Sequence, residues 1–280
     1  MFYIEKSDKP NFIERKLTLL KVMDNTIMLP LFENVNQKQI EKMAIKTKKI
    51  MEKYSNSKKV VLSKEIKKEQ IYINYLNTFG IEISDGKWLF EILLLDIIEY
   101  IIEKRKLKKA NISILINDLT DIELYNIEKL AIKYKTINIV TNNAEKFRKL
   151  EKRLDENDGI ILTVTNNKKK SLKKSQIIIN VDFPKELLNK YTINEEAILV
   201  NIRGKIKIKN KRFNGLNINN YEIDYREDKK ENKALSGKYY LKDLYESELY
   251  KRQKISQIRE KLKLDKVIIE KLILNNGELQ

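Results

Sequence analysis

The chain predicts an α/β protein: a parallel sheet wound from strand–helix–strand units, preceded by a smaller α/β lobe and followed by a helical tail. Three observations predict it. From Ile112 onward, short runs rich in Ile, Leu and Val alternate with helix-patterned segments, and the loops between them are short. Two of these runs end on the same four residues, Val140-Thr141-Asn142-Asn143 and Val164-Thr165-Asn166-Asn167. At 280 residues the chain is long enough for two cores of ordinary size. Parallel strands need crossovers of this length, and helices usually supply them.

In the first lobe a strand is expected near Phe2–Ile4, then apolar stretches through Leu17–Leu20 and Ile27–Leu31. Ile40, Met43, Ala44, Thr47, Ile50, Met51 and Tyr54 recur at helical spacing, with Lys on the opposite face. Asn36 with Gln39 three residues on is a capping signature for that helix. Val60–Leu62 reads as a strand, and Ser63 is placed to cap a helix carrying Ile66, Ile71, Ile73, Tyr75, Leu76 and Phe79 that stops at Gly80. Ile81–Ile83 is a further strand. Asp85-Gly86 opens one long helix to about Leu107, apolar on more than one side, as suits a connector.

In the second lobe the expected strands are Ile112–Ile116, Ile137–Thr141, Ile160–Thr165, Ile177–Val181 and Ala197–Ile202. Thr120 with Glu123 forms a capping box for a helix burying Ile127, Leu130, Ala131 and Tyr134. The next helix turns Phe147, Leu150 and Leu154 inward and ends at Gly159, and Pro184 sits in the first turn of a short helix. Lys205–Lys209 alternates at period two, as an edge strand guarded by lysines or a basic ridge for phosphate. Asp224–Lys233 reads as a charged linker. Leu241–Leu274 reads as two helices, the second carrying Val267, Ile268, Leu272 and Ile273. The expected domains are therefore 1–108, 109–223 and a linker with helical tail at 224–280.

Composition narrows the chemistry. The chain holds no His and no Cys, which removes disulfides, thiolate nucleophiles, the usual zinc ligand sets and any His general base, so no metal site is expected. What remains is Asp, Glu, Lys, Tyr, Ser and Thr. The net charge of +17 favours an anionic partner. Lys, Ile and Asn are abundant together, however, and A/T-rich codon usage yields that composition without selection for binding. No apolar run approaches the ~18–20 residues of a membrane span, and the N-terminal residues lack a secretory pattern, so the expected location is cytoplasmic.

Ligands of open parallel sheets bind beyond the carboxyl ends of the strands. Those ends carry Asn117 and Asp118, Asn142 and Asn143, Asn166 and Asn167, and Asp182, with the run Lys168–Lys174 after the third strand. Asn117, Asp118, Asn142, Asn143, Asn166, Asn167 and Lys168 are the candidate ligand- or cofactor-binding residues. The same residues are also common at turns and caps.

The segment Ile112–Ile202 resembles the cofactor domain of the shikimate dehydrogenase and glutamyl-tRNA reductase type of Rossmann fold, an NAD(P)-binding domain. Thr141-Asn142-Asn143-Ala144-Glu145-Lys146-Phe147 is similar to that group's Asn-Arg-Thr-x-x-Lys-Ala segment, and Ser175–Asn180 to its Ala-Asp-Ile-Val-Ile strand. Ser84-Asp85-Gly86 is similar to its Thr-Asp-Gly, whose Asp binds substrate and acts in catalysis. With the order of the lobes, the resemblance covers roughly two thirds of the chain. It implies a Rossmann-like domain, NAD or NADP as cofactor, and Asp85 as the candidate catalytic residue. Asp85 also suits a helix cap.

The chain departs from that pattern where chemistry is concentrated. The Gly-rich first turn is replaced by Asn117-Asp118-Leu119-Thr120-Asp121, whose side chains obstruct a diphosphate and whose carboxylates repel it. The family's Arg for the extra phosphate of NADP is Asn143, and its catalytic Lys after a proline motif is Phe32 in Met28–Phe32. These departures describe a non-catalytic Rossmann-like protein. It binds a small anionic ligand at the strand ends, or a protein partner through its C-terminal helices. A divergent NAD(P)-dependent oxidoreductase is one alternative. A nucleic-acid-binding protein using Lys168–Lys174 and Arg203–Arg212 is another.

Overall fold

A computed structural model describes residues 1–31, 35–55, 58–107, 110–203, 206, 208, 213–225, 236–249, 251–274 and 277–279. Phe32, Arg212, most of the Lys205–Lys209 alternation and most of the Asp224–Lys233 linker lie outside the described residues. The chain forms two compact units, Met1–Gly86 with Arg226–Arg252 and Lys87–Tyr225 with Gln253–Gln280.

The first unit opens with β1 (Phe2–Lys6), α1 (Phe12–Leu17) and the hairpin β2 (Lys21–Met23) and β3 (Thr26–Leu29). Then come α2 (Gln37–Tyr54), β4 (Lys59–Leu62), α3 (Gln70–Thr78) and β5 (Glu82–Ser84). Asn36 caps α2 as its sequence implies: its side chain accepts from the Gln39 N–H at 3.0 Å, and Gln39 answers at the Asn36 N–H at 3.1 Å. The strand order is β2-β3-β1-β4-β5, parallel except for β2 against β3. Met43, Ala44 and Met51 of α2 and Tyr72 and Leu76 of α3 cover this sheet. The two helices also share a buried polar contact, a 2.7 Å hydrogen bond between the hydroxyls of Thr47 and Tyr72. The helix expected from Ile66 to Phe79 is divided, with Ser63 capping a short 3-10 turn at Ile66–Lys68 ahead of α3.

The second unit begins with α4 (Lys87–Ile92) and α5 (Leu94–Lys104), where one continuous helix was expected. Arg259 explains the break. Its guanidinium donates to the Ile92 carbonyl at 3.2 Å and to Asp96 at 3.1 Å, so a side chain enters the helical ladder at Leu93. Both helices pack on α6 (Asp121–Tyr134), which comes after β6 (Ile112–Leu115). The winding continues through β7 (Thr136–Val140), α7 (Ala144–Asp158), β8 (Ile161–Thr165), β9 (Ile177–Asn180), α8 (Lys185–Leu188), β10 (Ile198–Asn201) and β11 (Asn217–Asp224). Gly159 ends α7 at φ +59, a left-handed position where glycine costs least.

The chain then contributes α9 (Leu241–Glu248) to the first unit, against β4 and β5. It finishes in the second unit with α10 (Ile255–Leu264), β12 (Ile268–Leu274) and β13 (Gly277–Leu279). The larger sheet has the order β13-β12-β11-β10-β9-β6-β7-β8, parallel from β8 to β11. Counted from β6, its parallel part runs 3-2-1-4-5-6, the doubly wound order of dinucleotide-binding sheets.

Two expectations are corrected here. The segment expected as a second tail helix is β12, antiparallel to β11. Lys266 at φ 53 turns the chain after α10, and the β-branched run then finds an open strand edge, so a helix-turn-helix is excluded. The division at 108 and 223 also differs from the units formed. Polar residues cluster at 104–109, but α4 and α5 pack on α6 and so belong to the second unit.

The register makes a direct test. Ile179→Ala, wholly buried in β9, should cost about 2–5 kcal/mol in urea unfolding. Ile161→Ala, 72% exposed in β8, should stay within about 0.5 kcal/mol of the parent.

Candidate functional site

The strand order of the larger sheet reverses at β6, whose neighbours are β7 and β9. The crevice expected at such a switch lies beyond the carboxyl ends of β6 and β9, where the chain places Asn117-Asp118 and Asp182. The Asp182 carboxylate takes the main-chain donors there. It accepts the Asn117 backbone N–H at 2.9 Å on both oxygens and the Asp118 N–H at 2.8 Å, with the Asn117 amide at 3.4 Å. These are the main-chain donors that an anionic ligand would use at a first strand-to-helix turn. Asn117 Oδ1 then accepts the Asn142 N–H at 2.9 Å, tying in the end of β7. Lys146 lies 2.6 Å from Asp118 and holds its carboxyl below the usual range. The first turn of α6 is closed by its own box, with the Thr120 N–H donating to Glu123 at 3.0 Å.

The repeated Val-Thr-Asn-Asn has a local meaning. In both copies the Thr hydroxyl accepts the N–H two residues on, Thr141 from Asn143 at 2.9 Å and Thr165 from Asn167 at 3.2 Å. The tetrapeptide is a strand-exit turn. Asn167 also caps the turn after it, accepting from the Lys169 and Lys170 N–H groups at 3.1 Å each. Asn117, Asp118 and Asn142 are thus brought together at the switch point, with Asn143 next in line at the start of α7. Asn166, Asn167 and Lys168 stand apart at the end of β8, the outermost strand. There Lys168, Lys169, Lys170, Lys173 and Lys174 are exposed around Leu172, which is buried and pins the turn.

A second polar constellation at the carboxyl ends is not legible in the sequence. Asn180 ends β9 and Asn201 ends β10, and they are paired in register. Asn180 donates to Asn201 at 3.2 Å, and Asn201 donates to Asn217 at 2.6 Å and Asn219 at 2.9 Å. Only the pairing of three strands makes this row, since the residues are far apart in sequence. Arg203 comes just after it. Its guanidinium holds Glu91 at 3.0 Å and Glu123 at 2.5 Å, while burial pushes the Glu123 carboxyl up against that pull. Two carboxylates share the Arg203 guanidinium and offset its charge within the basic stretch expected over Arg203–Arg212.

The first unit holds the most buried charges. Asp243 and Lys242, neighbours on α9, are 0% and 5% exposed, and Glu246 one turn on is 4% exposed. Lys67 lies 2.5 Å from Asp243 Oδ2. Burial pushes the Asp243 carboxyl up to about 6 even so, with Lys67 opposing. Glu246 Oε1 accepts from the Ser84 hydroxyl at 3.2 Å and the Asp85 N–H at 3.1 Å, which places Asp85 beside this cluster at the end of β5. Tyr240 has the ammonium groups of Lys64, Lys67 and Lys242 at 5.1–5.6 Å from its ring centre. Hydrophobic periodicity hides these residues, because Lys242, Asp243 and Glu246 break the apolar pattern of α9. Among the described residues no group of three or more carboxylates is placed to hold a metal ion, and no helix is long and apolar enough to cross a membrane.

On the tail helices, Leu244, Tyr245 and Leu249 are buried in the first unit, and Ile258 and Leu262 in the second, while Leu264 at the end of α10 is 81% exposed.

No family model matches the sequence, and no curated protein matches it. Among solved structures, the aspartate transcarbamoylase of Trypanosoma cruzi, in complex with carbamoyl aspartate and phosphate, is 11% identical. It covers 73% of this chain and 72% of its own, with a TM-score of 0.28. The ornithine carbamoyltransferase of Thermus thermophilus is 10% identical over 76% of this chain and 79% of its own, with a TM-score of 0.31. That of Pyrococcus furiosus is 11% identical over 71% of each chain, at 0.28. Superpositions this loose carry no argument about ligand or reaction.

The buried pair predicts a signed pH effect. Because the folded-state value of about 6 lies above the ordinary 3.8, Asp243 binds its proton more tightly folded than unfolded, and its contribution to stability declines as pH rises between those values. Lys67→Met should destabilise by about 3 kcal/mol at slightly alkaline pH, where a buried carboxylate loses its partner. Because Lys67 opposes the rise, removing it raises the Asp243 carboxyl further above 6, so the loss should shrink as pH falls toward about 6 and the variant takes up its proton first. Urea melts across pH, variant against parent, measure both.

Proposed function

We propose that this chain is a binding protein of Rossmann-like winding that does not use a nicotinamide dinucleotide. The observation that carries the reading is the Asp182 carboxylate on the Asn117 and Asp118 N–H groups. A dinucleotide would have to displace an internal charge-assisted anion from those donors, then settle its own diphosphate beside Asp118, Asp121 and Asp182 with Lys146 as the balancing ammonium. The strand order supports descent of the winding from a dinucleotide-binding type, including the shikimate dehydrogenase type suggested by Ser84-Asp85-Gly86 and Thr141–Phe147. The filled turn supports loss of that cofactor. The ligand is a small anion at the exposed polar end of β8, where Asn166 and Asn167 are followed by the exposed lysines from Lys168 onward, with Asn142 and Asn143 at the end of the neighbouring β7.

Thermal melts of the purified chain with NAD, NADP and their reduced forms should show no shift; a clear rise at micromolar cofactor defeats the reading. Asp182→Ala supplies the internal control. Vacating the two N–H groups should lower stability by about 1–3 kcal/mol, and inorganic phosphate should raise the melting temperature of the variant more than that of the parent.

A further inference from the structure

The unassigned feature that stands out lies in the first unit between Asn11 and Asn25. α1 exposes Phe12, Ile13 and Leu17 at 76%, 59% and 55%, and Leu19, Val22 and Met23 come next at 42%, 40% and 60%. Elsewhere among the described residues, large exposed apolar side chains are scattered singly, which is ordinary. At about 100° per residue, Phe12, Ile13 and Leu17 share one side of their helix.

The exposure is built in. Asn11 and Glu14 form a capping box at one end of α1, with the Glu14 N–H donating to Asn11 at 2.8 Å. At the other end the Lys46 ammonium donates to the Leu17 carbonyl at 2.7 Å and the Thr18 carbonyl at 2.9 Å. The segment is closed at its start by its own capping box and held to α2 at its end by Lys46, while its apolar side faces out. The next element, β2, is the outermost strand of its sheet, hydrogen-bonded to β3 on one side, and all three of its residues are exposed. Lysines usually guard such an edge. Here Lys21 is drawn 2.7 Å from the Glu14 carboxylate, which balances its charge.

We propose that this surface is a homodimer interface, with β2 of one copy set antiparallel to β2 of the next about a two-fold axis and the apolar sides of both α1 helices alongside. Three properties favour a second copy as the occupant. An outermost strand is complementary to itself when the pairing is antiparallel, so the contact closes on two copies. The area fits as well: the exposed fractions of the six side chains amount to on the order of 500 Å². One side of a standard interface buries about 800 Å², a little over half of it apolar, which is about 450 Å². Finally, this stretch is nearly neutral in a chain of +17. Arg15, Lys16 and Lys21 stand against Glu14 and Asp24, a difference of +1, so two copies meet without strong repulsion.

Sedimentation velocity of the full-length chain across the micromolar range tests this. The expected result is a concentration-dependent species of twice the 33.3 kDa monomer. Ile13→Lys combined with Met23→Lys, both exposed and so compatible with an unchanged melt, should abolish it. Ile161→Lys, equally exposed but on β8, should leave it intact. A parent chain that stays monomeric at tens of micromolar overturns the proposal. So does a dimer that survives the paired substitutions, or one that Ile161→Lys alone dissociates.

Discussion

The carboxyl edge of the larger sheet depends on one group, the Asp182 carboxylate. A turn between a parallel strand and its helix leaves main-chain N–H groups pointing at the place where the strand order reverses, and a hydrogen bond from such a donor to a charged group contributes about 1.5–3 kcal/mol. Dinucleotide-binding proteins leave those donors for a ligand. This chain supplies the anion itself, and the arrangement around it is set accordingly. Asn117 is oriented by Asp182 and passes the link on to Asn142 at the end of β7. Asp118, its N–H engaged, turns its side chain to Lys146.

The same economy of donors and acceptors recurs along that edge. Asn180, Asn201, Asn217 and Asn219 satisfy one another across three strands, and Arg203 is held by Glu91 and Glu123. Polar groups that look available in a linear sequence are engaged once the strands are paired. In the first unit the balance is less even. Asp243 is wholly buried with Lys67 as its ion-pair partner, and Asp243 Oδ1 finds no hydrogen-bond donor among the described residues. Buried ion pairs of this kind recover their desolvation cost only with good geometry, and clusters with displaced acidities are more often found at functional sites than elsewhere.

Much of the architecture was legible because short-range signals and burial agreed. Asn36 with Gln39, Thr120 with Glu123, and Gly159 mark helix ends through hydrogen bonds spanning a few residues, and the folded chain makes those bonds. The candidate site was legible in part. Asn117, Asp118 and Asn142 do gather, because strand ends in a parallel sheet must share an edge. Their mutual closure was hidden, since Asp182 lies 64 residues from Asp118. The helix break at Leu93 was hidden for a similar reason, because it depends on Arg259 arriving from the far end of the chain.

By itself the sequence determined the alternation of strand and helix from Ile112 to Asn201, where several helices begin and end, and which side-chain chemistries are absent with His and Cys. Those come from local dihedral preference, from capping and from the inventory of side chains. Only the tertiary structure decided that Val267–Leu274 is mostly a strand, that the tail serves two different cores, and that the Asn117 and Asp118 N–H groups meet the Asp182 carboxylate. Each of those outcomes turns on a partner distant in sequence, and whether a polar group is satisfied is a property of the pair.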